Sequence, residues 1–103
     1  MKKRILRKLF LGFIQIHILY HAQKEPFYGS LMIGELKRHG YEISAGTIYP
    51  ILNNLADSGL LQKTNRLVDG KIRKYYSITA AGAQVLQEAI EKAEELAKEL
   101  RQR

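Results

Sequence analysis

Asp69-Gly70 separates two runs rich in Tyr, Ile and Val, Leu60–Val68 and Lys71–Ile78, and no other feature restricts this chain as strongly. A two-residue type I′ turn needs positive φ at both central positions. Asp-Gly adopts it readily, so the runs are predicted as paired strands. The same turn sets the register, placing Arg66 opposite Arg73 and Asn65 opposite Lys74. Just upstream, Ser44–Ser58 carries Ile48, Ile51, Leu52 and Leu55 at helical spacing, with Ser44 as N-cap and Gly59 as a stop. A helix that ends in glycine and leads straight into a cationic hairpin is the order of parts in a winged helix-turn-helix. In that architecture the helix enters a DNA major groove and the hairpin reaches the neighbouring backbone.

The rest of the chain supplies the helices this architecture needs. Residues 2–23 are predicted as a first helix in which Ile5, Leu6, Leu9, Phe10, Phe13, Ile14, Ile16, Ile18 and Leu19 are too many for one stripe. Part of that surface is expected to meet a partner chain. Lys24-Glu25-Pro26 ends it. A second helix is expected over 28–39 with Leu31, Met32, Leu36 and Ile33 inward and Gly40 as its stop. Gly40–Ile43 is short enough for a helix-turn-helix. Pro50 should bend the third helix or loosen its first turn, unless that helix starts one turn later with Thr47 as cap. In the last helix, 80–102, Ala83, Leu86, Ile90, Ala93, Ala97 and Leu100 form a heptad seam. The seam could dock on its own domain; its length favours a partner helix. The expectation is one domain, 1–103, mostly α with a β-hairpin wing over 60–78 and dimerisation helices at both ends.

Charge and composition narrow the function. The formal net charge is +7, and its distribution is uneven: 13 Lys/Arg against 5 Asp/Glu in residues 1–75, and 4 against 5 in residues 76–103. A basic front and middle favour a polyanionic partner. Cysteine is absent, which excludes disulfide and thiolate chemistry and fits a reducing cytosol. Lys2, Lys3 and Arg4 before the apolar run Leu9–Leu19 look like the start of a signal peptide. However, Arg7 and Lys8 intrude, Gln15 and His17 interrupt the run, and no small-x-small site follows Tyr20. The run is also shorter than the ~18 residues of a membrane span. A cytoplasmic protein without membrane attachment is expected.

Candidate functional residues follow from the faces. With Ile48, Ile51, Leu52 and Leu55 inward, the third helix turns out Ser44, Gly46, Thr47, Tyr49 and Asn53. Small and hydroxylated residues at its start suit close approach to phosphates and base edges. Tyr49 could instead be a half-buried core aromatic. No Arg or Gln on this face offers the commonest bidentate base contacts. In the hairpin, like charges at Arg66 and Arg73 oppose each other at a cost that a bound anion would remove. Lys63, Arg66, Lys71, Arg73 and Lys74 therefore read as a phosphate clamp, the alternative being a solvated loop tip. Tyr28, at the entrance to the second helix, joins the DNA-facing set, and Tyr75 and Tyr76 are expected to anchor the strands. His17 and His21 stand at i,i+4, a spacing that can hold a metal. No carboxylate or third histidine lies near them in sequence, so no metal or other cofactor is expected; His39 is expected to cap the second helix or to contact phosphate. The scattered acidic residues show no paired-carboxylate or nucleophile–base pattern, and no enzyme is expected.

Tyr28-Gly29, Gly46-Thr47-Ile48-Tyr49-Pro50-Ile51-Leu52, Gly59-Leu60-Leu61 and Arg73-Lys74-Tyr75-Tyr76-Ser77-Ile78-Thr79-Ala80-Ala81-Gly82 together resemble the PadR family of bacterial transcriptional regulators. The resemblance implies a winged helix-turn-helix homodimer that represses transcription from a palindromic operator in double-stranded DNA. It also implies recognition-helix contacts from Ser44, Thr47 and Tyr49, and wing contacts from Lys71–Lys74. The dimer would pack the last helix on its partner together with the first. That interface includes Leu6, Phe10, Phe13, Leu86, Ile90, Ala93, Ala97 and Leu100. The chain length fits the short-tailed subgroup, some of whose members hold planar aromatic effectors between subunits. Here Phe10, Phe13 and Tyr20 would line such a pocket. A winged-helix module for an acidic protein partner and an aromatic-ligand sensor are the competing readings.

Overall fold

The computed structural model describes residues 1–103. Helix α1 spans Lys2–Lys24 and stops where Glu25 becomes extended ahead of Pro26. Strand β1 is only Phe27–Tyr28; α2 covers Gly29–Arg38, α3 Ala45–Asp57, β2 Leu61–Val68, β3 Lys71–Ile78 and α4 Ala80–Arg101. The fold is a winged helix-turn-helix, with α2 and α3 forming the helix pair and β2–β3 the wing.

Both helices of the pair end the same way. Gly40 and Gly59 take positive φ, and the residues after them reach back to close the last turn: Tyr41 N–H to the Leu36 carbonyl at 3.0 Å, Leu60 N–H to the Leu55 carbonyl at 2.9 Å. These are Schellman closures, in which glycine supplies a left-handed residue that other side chains resist. Asp69 and Gly70 have φ of 52° and 78°, the type I′ geometry, and Arg66 pairs with Arg73 and Asn65 with Lys74. The wing is more than the hairpin expected from sequence. Phe27 and Tyr28 pair with Tyr76 and Tyr75, giving a three-stranded antiparallel sheet in the order β1-β3-β2. Tyr28 is thus a strand residue at the edge of α2, not its first turn. Pro50 lies inside α3, which stays helical through it.

The core gathers Ile14, Ile18, Leu19 and Ala22 of α1, Met32 and Leu36 of α2, Ile48, Leu52 and Leu55 of α3, Phe27, Leu61 and Tyr76 of the sheet, and Leu86 of α4. Ile51 is only half-buried and Leu31 is exposed, because α2 and α3 face the core along narrower stripes than their apolar residues would allow. Thr79 fastens α4 to the wing. Its Oγ1 accepts from Gly82 N–H at 3.0 Å and donates to the Gly59 carbonyl at 2.6 Å. Gly82 lies against the Leu60 carbonyl so closely that a Cβ there would collide with it.

The heptad seam of α4 divides. Leu86, expected at a partner interface, is 1% exposed and belongs to the chain's own core, and Ile90 packs against that core. Farther along, Ala93 is exposed, Ala97 half-buried, and Leu96 and Leu100 stand 54% and 51% exposed. At the other end of the chain Ile5, Leu6, Leu9, Phe10 and Phe13 of α1 are also exposed. The molecule measures 55 × 29 × 23 Å, and the small body cannot cover both long helices.

Candidate nucleic-acid interface

The helix-turn-helix presents the start of α3 at the surface. Ser44 is its N-cap residue by backbone conformation, but its side chain makes no capping bond; Oγ lies 3.4 Å from Thr47 Oγ1 instead. Thr47 N–H bonds the Ser44 carbonyl at 3.0 Å, so the N–H groups of Ala45 and Gly46 are the ones left to meet an anion, the arrangement by which helix starts hold phosphate. Gly46 and Ser44 are exposed there, and Thr47 is half-buried. Tyr49 projects from the next turn at 39% exposure, with its ring against Gly29; a Cβ on Gly29 would collide with that ring. The Tyr28-Gly29 pair is thus a close approach between the start of α2 and α3.

The wing flanks the same surface. Strand residues alternate faces, so Phe27, Leu61, Tyr76 and Ile78 point to the core while Tyr28, Arg66, Arg73 and Tyr75 share the outer face. There the opposed arginines separate. The Arg66 guanidinium lies over the Tyr75 ring at 4.4 Å and that of Arg73 over the Tyr28 ring at 4.6 Å. The two tyrosines meet edge to face at 5.6 Å. Cation–π stacking on diagonal neighbours offsets part of the cost of the like-charge pairing. Tyr75 accordingly serves as a platform for Arg66 on the outer face, whereas Tyr76 is the buried anchor. Burial raises the Tyr76 phenol above its ordinary pKa, with Tyr49 adding to the shift.

Between wing and helix runs a cleft of about 470 Å³ lined by Tyr28, Ser30, Tyr49, Asn53, Arg73 and Lys74, among others. Because β1 ends at Tyr28, β3 has no neighbour on that side beyond Tyr75, and the cleft opens along this free edge. Lys63 donates to Asn53 Oδ1 at 3.0 Å and ties β2 to α3. Lys71 sits beside the turn, opposite Val68. The cleft thus collects Tyr28, Tyr49, Asn53, Arg73 and Lys74, with Lys63 at its back. Arg66 and Lys71 lie farther out along the wing, while Ser44, Gly46 and Thr47 lie at the helix start.

A second cleft, about 930 Å³, lies between the first turns of α1 and the α2–α3 turn, where Leu6, Phe10, Phe13, Tyr41, Ile43 and Thr47 line it. Tyr20 of α1 is not among its lining residues. Next to it the structure assembles a cluster not foreseen from sequence. His39, the C-cap residue of α2, meets His17 and His21 of α1, and the three offer ligand nitrogens within 4.8 Å of one another. Desolvation holds His17 and His21 below the ordinary imidazole pKa, and the charge of His39 adds to it. Sequence spacing alone missed this because His39 comes from another helix.

A helix start free of side-chain capping, a cationic wing and a cleft between them define a winged-helix DNA-binding protein. The chain belongs to the PadR-like family of transcriptional regulators, whose family pattern matches residues 18–88. It is 44% identical over 87 residues to the transcriptional regulator Rv3488 of Mycobacterium tuberculosis, covering 84% of this chain and 81% of that one. Among solved structures, a PadR family regulator from Eggerthella lenta superposes with a TM-score of 0.83 at 30% identity, over 97% of this chain and 88% of the other. A PadR-like regulator from Bacillus cereus gives 0.84 at 29%, over 92% and 94%. The protein is a transcriptional regulator and not an enzyme, and no helix is long and apolar enough to cross a membrane.

Proposed function

We propose that the protein is a homodimeric, cytoplasmic repressor that binds a palindromic operator. Each subunit would place the start of α3 in a major groove, with Ser44, Gly46, Thr47 and Tyr49 at base edges and phosphates. Arg73, Lys74, Arg66, Lys71 and Lys63 of the wing would hold the flanking backbone. The observation that carries this reading is the cleft shared by Tyr49 and Asn53 of α3 with Arg73 and Lys74 of β3, which sets helix and wing on one surface. Half-sites one helical turn apart, or a multiple of it, follow from twofold symmetry.

The dimer reading rests on the apolar residues left uncovered on both long helices: Leu6, Phe10 and Phe13 on α1, Leu96 and Leu100 on α4. The Ala93 and Ala97 positions would let a partner helix come close. Electrophoretic mobility and light scattering on the protein with its own upstream DNA test both parts. One dimer per site is expected; monomers bound independently would contradict it. The 930 Å³ cleft beside Phe10 and Phe13 favours a small aromatic effector as a second input. Saturable quenching of tyrosine emission by phenolic compounds would support that input; no quenching would remove it. A protein-interaction role on an acidic partner would instead leave DNA affinity weak and nearly independent of salt.

A further inference from the structure

The histidine cluster has no role in the DNA-binding surface. His17 and His21 lie one turn apart on α1, with ring centroids 6.4 Å apart and planes 18° from parallel. His39 stacks on His17 at 4.7 Å and stands 5.9 Å from His21. Tyr41 closes one side, edge-on to His17 at 5.2 Å. His21 Nε2 is buried without a hydrogen-bond partner. Buried polar nitrogens are nearly always satisfied, so an orphan among three basic rings calls for a partner that lone pairs can share. The positive charges of Lys24 and Arg38 also lie near enough to lower the His21 pKa, and Arg38 is ion-paired with Glu35.

We propose that His17, His21 and His39 form a three-imidazole site for a borderline divalent transition-metal ion of the zinc, nickel or copper class, which pins the α2–α3 corner to α1. The donor set selects this class, because imidazole suits such ions while magnesium and calcium want oxygen ligands. Histidines at i,i+4 of a helix already share one face, the spacing that holds zinc in helical ligand pairs. Metal–nitrogen bonds of about 2.0–2.1 Å place tetrahedral ligands roughly 3.3 Å apart. The three ligand atoms, all within 4.8 Å of one another, have to draw in by about 1.5 Å to reach that spacing. Three protein ligands leave a fourth position for water on the exposed His39 side.

The site also has leverage. His39 is followed directly by Gly40 and the turn into α3, so fixing its ring to α1 fixes the approach of the recognition helix. Metal binding should therefore change operator affinity several-fold, a consequence that rests on the DNA-binding reading above. Titration of tag-free protein with zinc alone, followed by calorimetry without DNA, tests the site independently of that reading. One ion per chain at micromolar affinity or tighter is expected, with at least tenfold weakening in both His39→Ala and His39→Gln and no response to magnesium. Because His39 is exposed, both variants should keep the wild-type circular dichroism. Millimolar binding only, or equal affinity in wild type and both variants, would overturn the site. DNA titrations with and without zinc then test the clamp: a several-fold change in wild type that is absent in His39→Gln supports it. An unchanged affinity for DNA that still binds well would overturn it.

Discussion

Arg73 and Lys74 are neighbours on β3 and so leave the sheet on opposite faces, yet both line the cleft against α3 because no strand covers that edge. The Arg73 guanidinium lies over the Tyr28 ring at 4.6 Å. Lys74 carries its charge on a flexible stem. Replacing both with alanine is expected to weaken operator and scrambled duplex alike and to reduce the log–log salt slope by about 0.9 per lost phosphate contact. A loss confined to the operator would assign the pair to base readout instead. Tyr28→Leu should give a smaller loss of the same kind, since it removes the platform and leaves the charge. Thr79 and Gly82 belong to stability. Thr79→Ala removes a helix cap and a bond to Gly59, and thermal unfolding should show a loss of about 1–2 kcal/mol. Gly82→Ala forces a methyl group into the Leu60 carbonyl and should cost about 1–3 kcal/mol or more.

At the scale of elements, α4 changes character along its length, buried at Leu86 and uncovered at Leu96 and Leu100. Leu86 fills the core, so Leu86→Ala should destabilise the chain by about 2–5 kcal/mol. Leu96→Glu with Leu100→Glu should leave the monomer fold intact and shift light scattering from dimer to monomer; an unchanged mass would place the interface elsewhere. The spacing of Leu86, Ile90, Ala93, Ala97 and Leu100 made a seam visible in sequence. The same spacing serves docking on one's own domain, so it could not reveal that the seam is core at Leu86 and uncovered at Leu100. The wing was more fully readable. Asp69-Gly70 dictates a turn whose geometry carries the Arg66–Arg73 register with it. Strand β1 was not, because two residues after Pro26 have no periodicity and are extended only through pairing with Tyr75 and Tyr76. The same limit hid the stacking of Arg66 and Arg73, which depends on Tyr28 arriving beside Tyr75.

For the molecule as a whole, charge and shape work together. Most of the basic residues, 13 of 17, lie ahead of α4, and the elongated 55 Å body leaves the ends of both long helices free while the wing and α3 share another surface. On the proposed reading, most of the affinity would come from phosphates and the choice of site from a few contacts at the start of α3. The histidine cluster lies where the turn between α2 and α3 meets α1. Its three members come from two elements, so only the folded chain discloses it. Fluorescence anisotropy of the protein on its own upstream DNA and on a scrambled duplex, repeated across salt concentrations, decides whether the protein is a sequence-selective DNA binder. Tight binding that prefers the upstream sequence, with a steep salt slope on both duplexes, is the expected result. Equal and weak binding to both, with a shallow slope, would contradict it.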